Sequence, residues 1–292
     1  MDQINDNYNN HDNYNKKSCR DPTYKSKRFI EIDIAKGAAV ILMVIFHYFY
    51  LCHFMNIRYY NINGGILKVI AKLAHLTFIF VVGMNLAIIN EKNKKAYGEK
   101  CYKNYQMGHQ FKRGVFLIGA GMIISILSYL AFGDMYVKFG ILHFIGVSVI
   151  LAQFILNSKT LVILIGLLIV SLFFIFQLFS DSFYSKCYSF PMTCFISGVK
   201  NIQYASLDHF SIVPYFALIC AGILVGYVLY KNGNKRNFVG EKGEKTMDNL
   251  KKNPFTNIIS IIGKHSLLIY FIHFVIFYIG LYYYRKSITI QI

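Results

Sequence analysis

Ile32-Asp33-Ile34-Ala35-Lys36-Gly37-Ala38-Ala39-Val40-Ile41-Leu42-Met43-Val44-Ile45-Phe46-His47-Tyr48-Phe49-Tyr50 opens with two charges and then runs apolar to a histidine. The stretch is long enough to cross a bilayer, which takes about 20 mainly apolar residues. Lys36 and His47 are eleven positions apart, roughly three helical turns, so they fall on one face about 16 Å apart. A cation at the membrane edge and an imidazole deep in the apolar run therefore share a stripe. Ionisable groups at that depth are costly and mark functional sites. The competing reading of His47 is an interhelical hydrogen bond that only holds a bundle together.

The rest of the chain extends the pattern. Its 292 residues are 55% hydrophobic and only 15% charged, with a mean hydropathy of +0.41. A soluble domain carries about 25% charged residues. Seven apolar spans are predicted, at 34–54, 66–90, 111–132, 137–157, 159–180, 211–230 and 257–284. The expected fold is all-α, a polytopic transmembrane helix bundle. Residues 1–28 are rich in Asn, Tyr and Asp, lack a signal peptide's apolar core and read as a disordered tail. Residues 29–284 form the membrane domain and 285–292 a short outer tail.

The net charge of +17 does not point to nucleic acid, because the basic residues lie in short connections between spans. The tail holds six Lys/Arg, 91–113 seven, 231–256 seven, and Lys159 adds one, 21 on one side against six on the other. By the positive-inside rule the N-terminus is cytoplasmic, the C-terminus lies outside and the protein is a multi-pass protein of the cell membrane. The loops also offer cations to anionic lipid or to a phosphorylated ligand. The six cysteines include no CxxC pair; Cys187 and Cys194 share an outer loop where a disulfide is chemically allowed.

Histidines supply most of the candidate chemistry. His47, His75, His143 and His273 fall inside spans, while His53 and His209 flank outer ends. A neutral buried imidazole serves as a general base or accepts an acyl group. For His273 a single polar contact is the sufficient explanation. Asp33, three residues before Lys36, is placed to pair with it or to complement the helix start. Asp208, next to His209 before the sixth span, reads either as a helix cap or as a carboxylate that orients a histidine or binds a sugar hydroxyl. His143 follows Gly140 and is equally open between packing and substrate contact. Gly222 and Gly226 form a small-xxx-small pair for close helix packing. No P-loop or dinucleotide fingerprint is present, and no metal site is read.

Five ordered segments carry a family resemblance. Glu31 to Gly37 with Leu42 to His47, then Phe78 to Gly83, Phe139 to Gly146, Asp208 through Tyr215 to Gly222, and His265 to His273 resemble the motifs of the heparan-α-glucosaminide N-acetyltransferase catalytic-domain family. The resemblance implies a membrane acyltransferase. It implies an acetyl group taken from cytoplasmic acetyl-CoA, with no bound cofactor, and passed to an extracytoplasmic sugar or similar acceptor. It also implies that His47 acts as acyl acceptor or base, with Asp208 and His143 as further catalytic residues. Lys36, Asp33, His53 and His209 are assigned to donor or substrate binding. The family's basic residue at the Lys36 position is usually Arg, and some relatives carry the reactive histidine in the outer segment, where His53 stands here. The alternative class is a proton-coupled transporter or channel using intramembrane histidines.

Overall fold

The computed structural model describes residues 21, 23–24, 28–62, 64–178, 206–231, 234–235 and 253–290. The candidate disulfide Cys187–Cys194, most of the basic loop 231–256 and nearly all of the N-terminal tail lie outside the described residues. Eight helices are described: α1 (Ile30–Phe54), α2 (Gly65–Gly98), α3 (Cys101–Met135), α4 (Ile141–Ile155), α5 (Lys159–Leu178), α6 (Ile212–Leu229), α7 (Pro254–Lys264) and α8 (Ser266–Ile290). A two-residue hairpin pairs Tyr230–Lys231 with Asn234–Lys235 after α6. Six helices are long and apolar enough to span, and α4 is a shorter apolar one. Their outward faces carry Ile66, Phe154, Leu167, Leu178 and Tyr283, each more than 60% exposed. So much contiguous apolar surface has a favourable environment only in lipid.

The described residues divide into two compact units, one drawn from Arg28–Val81 and Asn237–Ile292, the other from Met1–Lys27 and Val82–Arg236. In the first, Glu31 and Asp33 sit in the first turn of α1, where carboxylates complement the helix dipole. The helix ends at Met55, and Asn56 takes a left-handed conformation (φ 55°) that turns the chain away.

The last predicted span, 257–284, is two helices rather than one. α7 begins with Pro254 at its first position and with Asn253 Oδ1 accepting from the Phe255 backbone N–H at 3.0 Å. It ends at His265, and α8 starts afresh and continues to Ile290, beyond the predicted end. At 11 residues α7 is about 16 Å long and cannot cross a bilayer. It lies against the start of α1 in backbone-to-backbone contact. A Cβ added to Gly37 would fall 2.0 Å from the Ile259 carbonyl oxygen, and one added to Gly263 would fall 1.8 Å from that of Asp33. α8 then pairs with α1 further along, His273 beside His47 and Phe277 beside Tyr48. The rising numbers on both helices mean that α1 and α8 run in the same direction.

In the second unit, α2 and α3 break at Gly98, whose φ of 65° suits glycine. Beside the break Tyr97 stacks on Tyr105 at 3.9 Å. Gly222 and Gly226 do the packing expected of them. Gly83 sits against Ile219 and Gly222, and a Cβ on Gly226 would come within 2.9 Å of the Met84 carbonyl oxygen. The fourth predicted span, 137–157, is helical only from Ile141. Phe139 instead forms an extended bridge to His209, with Phe210 N–H donating to the Phe139 carbonyl at 2.9 Å. Ten of the fifteen α4 residues are buried, so protein covers most of this short helix, with Leu151 and Phe154 left facing outward.

The α1–α7 crossing gives a direct test. Gly37→Ala should force the two backbones apart and lower stability by about 1–3 kcal/mol, the usual cost of overpacking. Gly119→Ala, on an exposed face with nothing within 4 Å of the added methyl, should be neutral or slightly stabilising. Melting temperatures of the purified variants in detergent check both, and equal melting of Gly37→Ala and wild type would contradict the crossing.

Candidate functional site

In the first unit, α1 carries four of the candidate residues. Asp33 is 3% exposed and accepts a charged hydrogen bond from Arg28 Nε at 2.9 Å. This ion pair ties Asp33 to a residue five positions earlier in the chain. Lys36 lies half-buried one turn on. The tie between Arg28 and Asp33 gives these residues a helix-starting role whatever else they do.

His47 and His53 differ in how their ring nitrogens are used. His53 lies just before the turn that follows α1, where its Nδ1 accepts from the Tyr60 backbone N–H at 3.3 Å and its ring packs on Tyr59. A neutral imidazole has one donor and one acceptor nitrogen, so His53 Nε2 carries the proton. His47 instead faces α8. Its Nδ1 is 3.0 Å from His273 Nε2, and the two rings are 5.1 Å apart. His273 is 7% exposed, and its Nδ1 is 2.9 Å from the Ile269 carbonyl oxygen. Phe274 meets the His47 ring edge-on at 6.0 Å, and Phe277 meets the His273 ring in the same manner. Among the described residues nothing hydrogen-bonds His47 Nε2. Both rings are held at Nδ1, but His53 Nδ1 accepts from a backbone N–H, which engages its lone pair, whereas His47 Nδ1 faces another ring nitrogen.

The second unit holds Asp208, His209 and His143. Gly140 heads α4 without a side chain to cap it. Asp208 supplies the missing acceptor from across the chain, its Oδ2 3.4 Å from the Ile141 backbone nitrogen and 3.2 Å from where a Gly140 Cβ would stand. The cap reading of Asp208 thus holds, but for α4 rather than for the helix that follows it. The segment is pinned by Ser206, whose hydroxyl accepts from Lys138 N–H at 3.1 Å. Desolvation pushes the Asp208 carboxyl up to about 6, against the Ile141 and His209 backbone N–H groups that favour the ionised form. His143, 5% exposed, lies one turn into α4 with its ring stacked on Phe139. A Cβ on Gly121 would touch that ring at 2.8 Å. Neither nitrogen of His143 has a hydrogen-bond partner among the described residues, an uncommon state for a buried polar group. His209 completes the bridge to Phe139, their rings 6.5 Å apart.

One polar cluster has no counterpart in the sequence reading. Asn90, wholly buried, accepts from the Tyr102 hydroxyl and donates to the Tyr227 hydroxyl, both at 2.9 Å. Tyr227 also donates to the Leu156 carbonyl, and Tyr102 bonds Asn157. Gln110, fully buried two turns along α3 from Tyr102, has no partner among the described residues for either amide atom. A lone asparagine and two tyrosines near span ends carry no motif signal, since interfacial tyrosines are common. Among the described residues no group of three or more His, Cys, Asp or Glu side chains could hold a metal ion.

The model of the family described as heparan-α-glucosaminide N-acetyltransferase, catalytic, matches residues 28–275. No curated protein and no solved structure matches the chain.

Burial at Asp208 yields a pH test. The carboxyl titrates near 3.8 when unfolded and near 6 when folded, so folding favours its protonated form. That contribution is complete below the unfolded value and is lost as pH rises through about 6. Asp208→Asn, which keeps an acceptor oxygen but no charge, should therefore gain in melting temperature relative to wild type between pH 4 and pH 7. A difference that does not change with pH would contradict the assignment.

Proposed function

From membership of the heparan-α-glucosaminide N-acetyltransferase catalytic-domain family, to which this chain belongs, we propose that the protein transfers an acetyl group from acetyl-CoA to an acceptor on the opposite face of the cell membrane. The observation that carries this reading is His47. It sits on a spanning helix, is held at Nδ1 by His273, and has no partner at Nε2 among the described residues. A lone pair so held is suited to remove the proton of an attacking hydroxyl or amine, or to take the acetyl group itself. In either route the thioester carbon gains a bond to the nucleophile, its C–S bond breaks, and the CoA thiolate leaves.

The sides follow from charge. The face with 21 Lys/Arg, including 91–113 and 231–256, is cytoplasmic and suited to the anionic donor. The parallel course of α1 and α8 is consistent with this count when the short helix α4 is taken as a crossing, because a first and a seventh span must run the same way. Lys36 then stands near the donor side as a point charge, and Asp33 steadies its helix. On the acceptor side Asp208 binds a hydroxyl of a sugar or similar molecule, with His209 beside it, and His143 lines the acceptor's path. The free Nε2 of His47 favours it over His53 as the reactive histidine, since the His53 lone pair is already engaged. The acceptor itself is a polyol or amino sugar in class.

Purified protein supplied with acetyl-CoA should release CoA, faster when an amino-sugar acceptor is added. His47→Ala should lower turnover at least about a hundredfold, the usual contribution of a positioned base. Undiminished turnover in the variant, or proton uptake into proteoliposomes with no CoA release, would overturn the reading.

A further inference from the structure

We infer that His273 is a positioning residue that sets the tautomer of His47. The inference rests on the role just proposed for His47 and adds a proton arrangement to it. A backbone carbonyl can only accept, so the contact of 2.9 Å between Ile269 O and His273 Nδ1 requires the proton to be on that nitrogen. A neutral His273 then has its lone pair on Nε2. That nitrogen is 3.0 Å from His47 Nδ1, so His47 must donate across the gap. With its proton held on Nδ1, neutral His47 has its lone pair on Nε2.

The chain of bonds thus runs from His47 Nδ1–H to His273 Nε2, and from His273 Nδ1–H to the Ile269 carbonyl. It reverses the ordinary preference of a free imidazole, whose proton favours Nε2. Which nitrogen is protonated is set by the bond the other one makes. The surroundings hold the arrangement. His273 is 7% exposed, and Phe274 and Phe277 pack edge-on against the two rings. Among the described residues no carboxylate contacts either ring, so in the neutral pair His273 acts on His47 as an acceptor rather than as a counter-charge.

The pair also balances the reaction. When His47 Nε2 takes a proton from the acceptor, the ring becomes an imidazolium and its Nδ1–H bond to His273 becomes charge-assisted, hence stronger. When it takes the acetyl group, the Nδ1 proton passes to His273 Nε2. This leaves a neutral acyl-imidazole, an imidazolium at His273 and the departed CoA thiolate. The proton returns from His273 to His47 Nδ1 as the acetyl group passes to the acceptor, whose own proton leaves to water and offsets the charge of the departed CoA thiolate. A histidine that serves only to pack would change neither the tautomer nor the rate of this step.

The experiment combines a spectrum with kinetics. In protein labelled with 15N-histidine and held in lipid nanodiscs, without acetyl-CoA, the His47 signals should show a protonated Nδ1 and an unprotonated Nε2. They are assigned by their loss in His47→Gln. His273→Leu should return His47 to the Nε2–H form and lower kcat by about 10- to 100-fold, the size of one lost charge-assisted bond, with KM for acetyl-CoA unchanged. His273→Gln places an amide oxygen near the position of Nε2 and should restore most of the rate. An Nε2–H signal for wild-type His47, or equal impairment by Leu and Gln, would overturn the inference. The proposed function fails separately, through a fully active His47→Ala, and the tautomer is read without any turnover.

Discussion

An imidazole inside a spanning helix must find a partner, and His47 finds it in His273. That 3.0 Å contact fixes more than a side chain. It sets the register of α8 along α1, which in turn places the aromatic pairs Tyr48–Phe277 and His47–Phe274. It requires α7 to be short, because the chain must turn beside the start of α1 before α8 can run alongside it. The glycine contacts at Gly37 and Gly263 are how that turn is packed. A polar bond in hydrocarbon is worth only about a kilocalorie, but leaving either ring unpaired there would cost more.

The same bond joins fold to chemistry. It occupies Nδ1 and leaves Nε2 as the available atom, so the interhelical hydrogen bond and the chemistry proposed for His47 are two readings of one geometry. In the second unit a comparable economy holds at Asp208. Its carboxylate caps the start of a helix headed by a glycine, and a Cβ on that glycine would stand 3.2 Å from the carboxylate and 2.8 Å from Val137 Cγ1. Burial then keeps this acid near neutrality's edge, at about 6.

Much of this was legible in the sequence, because lipid reads hydrophobicity directly. The spans 34–54, 66–90, 111–132, 159–180 and 211–230 correspond to helices whose outer faces are apolar, and Gly222 with Gly226 signalled close packing correctly. What failed did so for local reasons. Nothing in the apolar run 257–284 announces that it breaks at His265, since a histidine between Lys264 and Ser266 fits the interior of a helix as well as its end. The segment 137–140 is apolar enough to extend a span, yet it is drawn into an extended pairing with 206–210 that only tertiary contact supplies. Of the site residues, His47 stood out because it interrupts an apolar helix. His273 did not, because its meaning lies in a partner 226 positions away. Asn90, Tyr102 and Tyr227 are invisible to spacing for the same reason.

The central claim is acetyl transfer across the membrane by a residue embedded in it. It is tested most directly in sealed proteoliposomes with the N-terminal face outward, radiolabelled acetyl-CoA outside and an amino-sugar acceptor trapped inside. The account predicts labelled acceptor in the lumen while CoA stays outside, and no such label with His47→Ala. Acceptor that stays unlabelled while acetyl-CoA is hydrolysed outside, or label that appears equally in the variant, would contradict it.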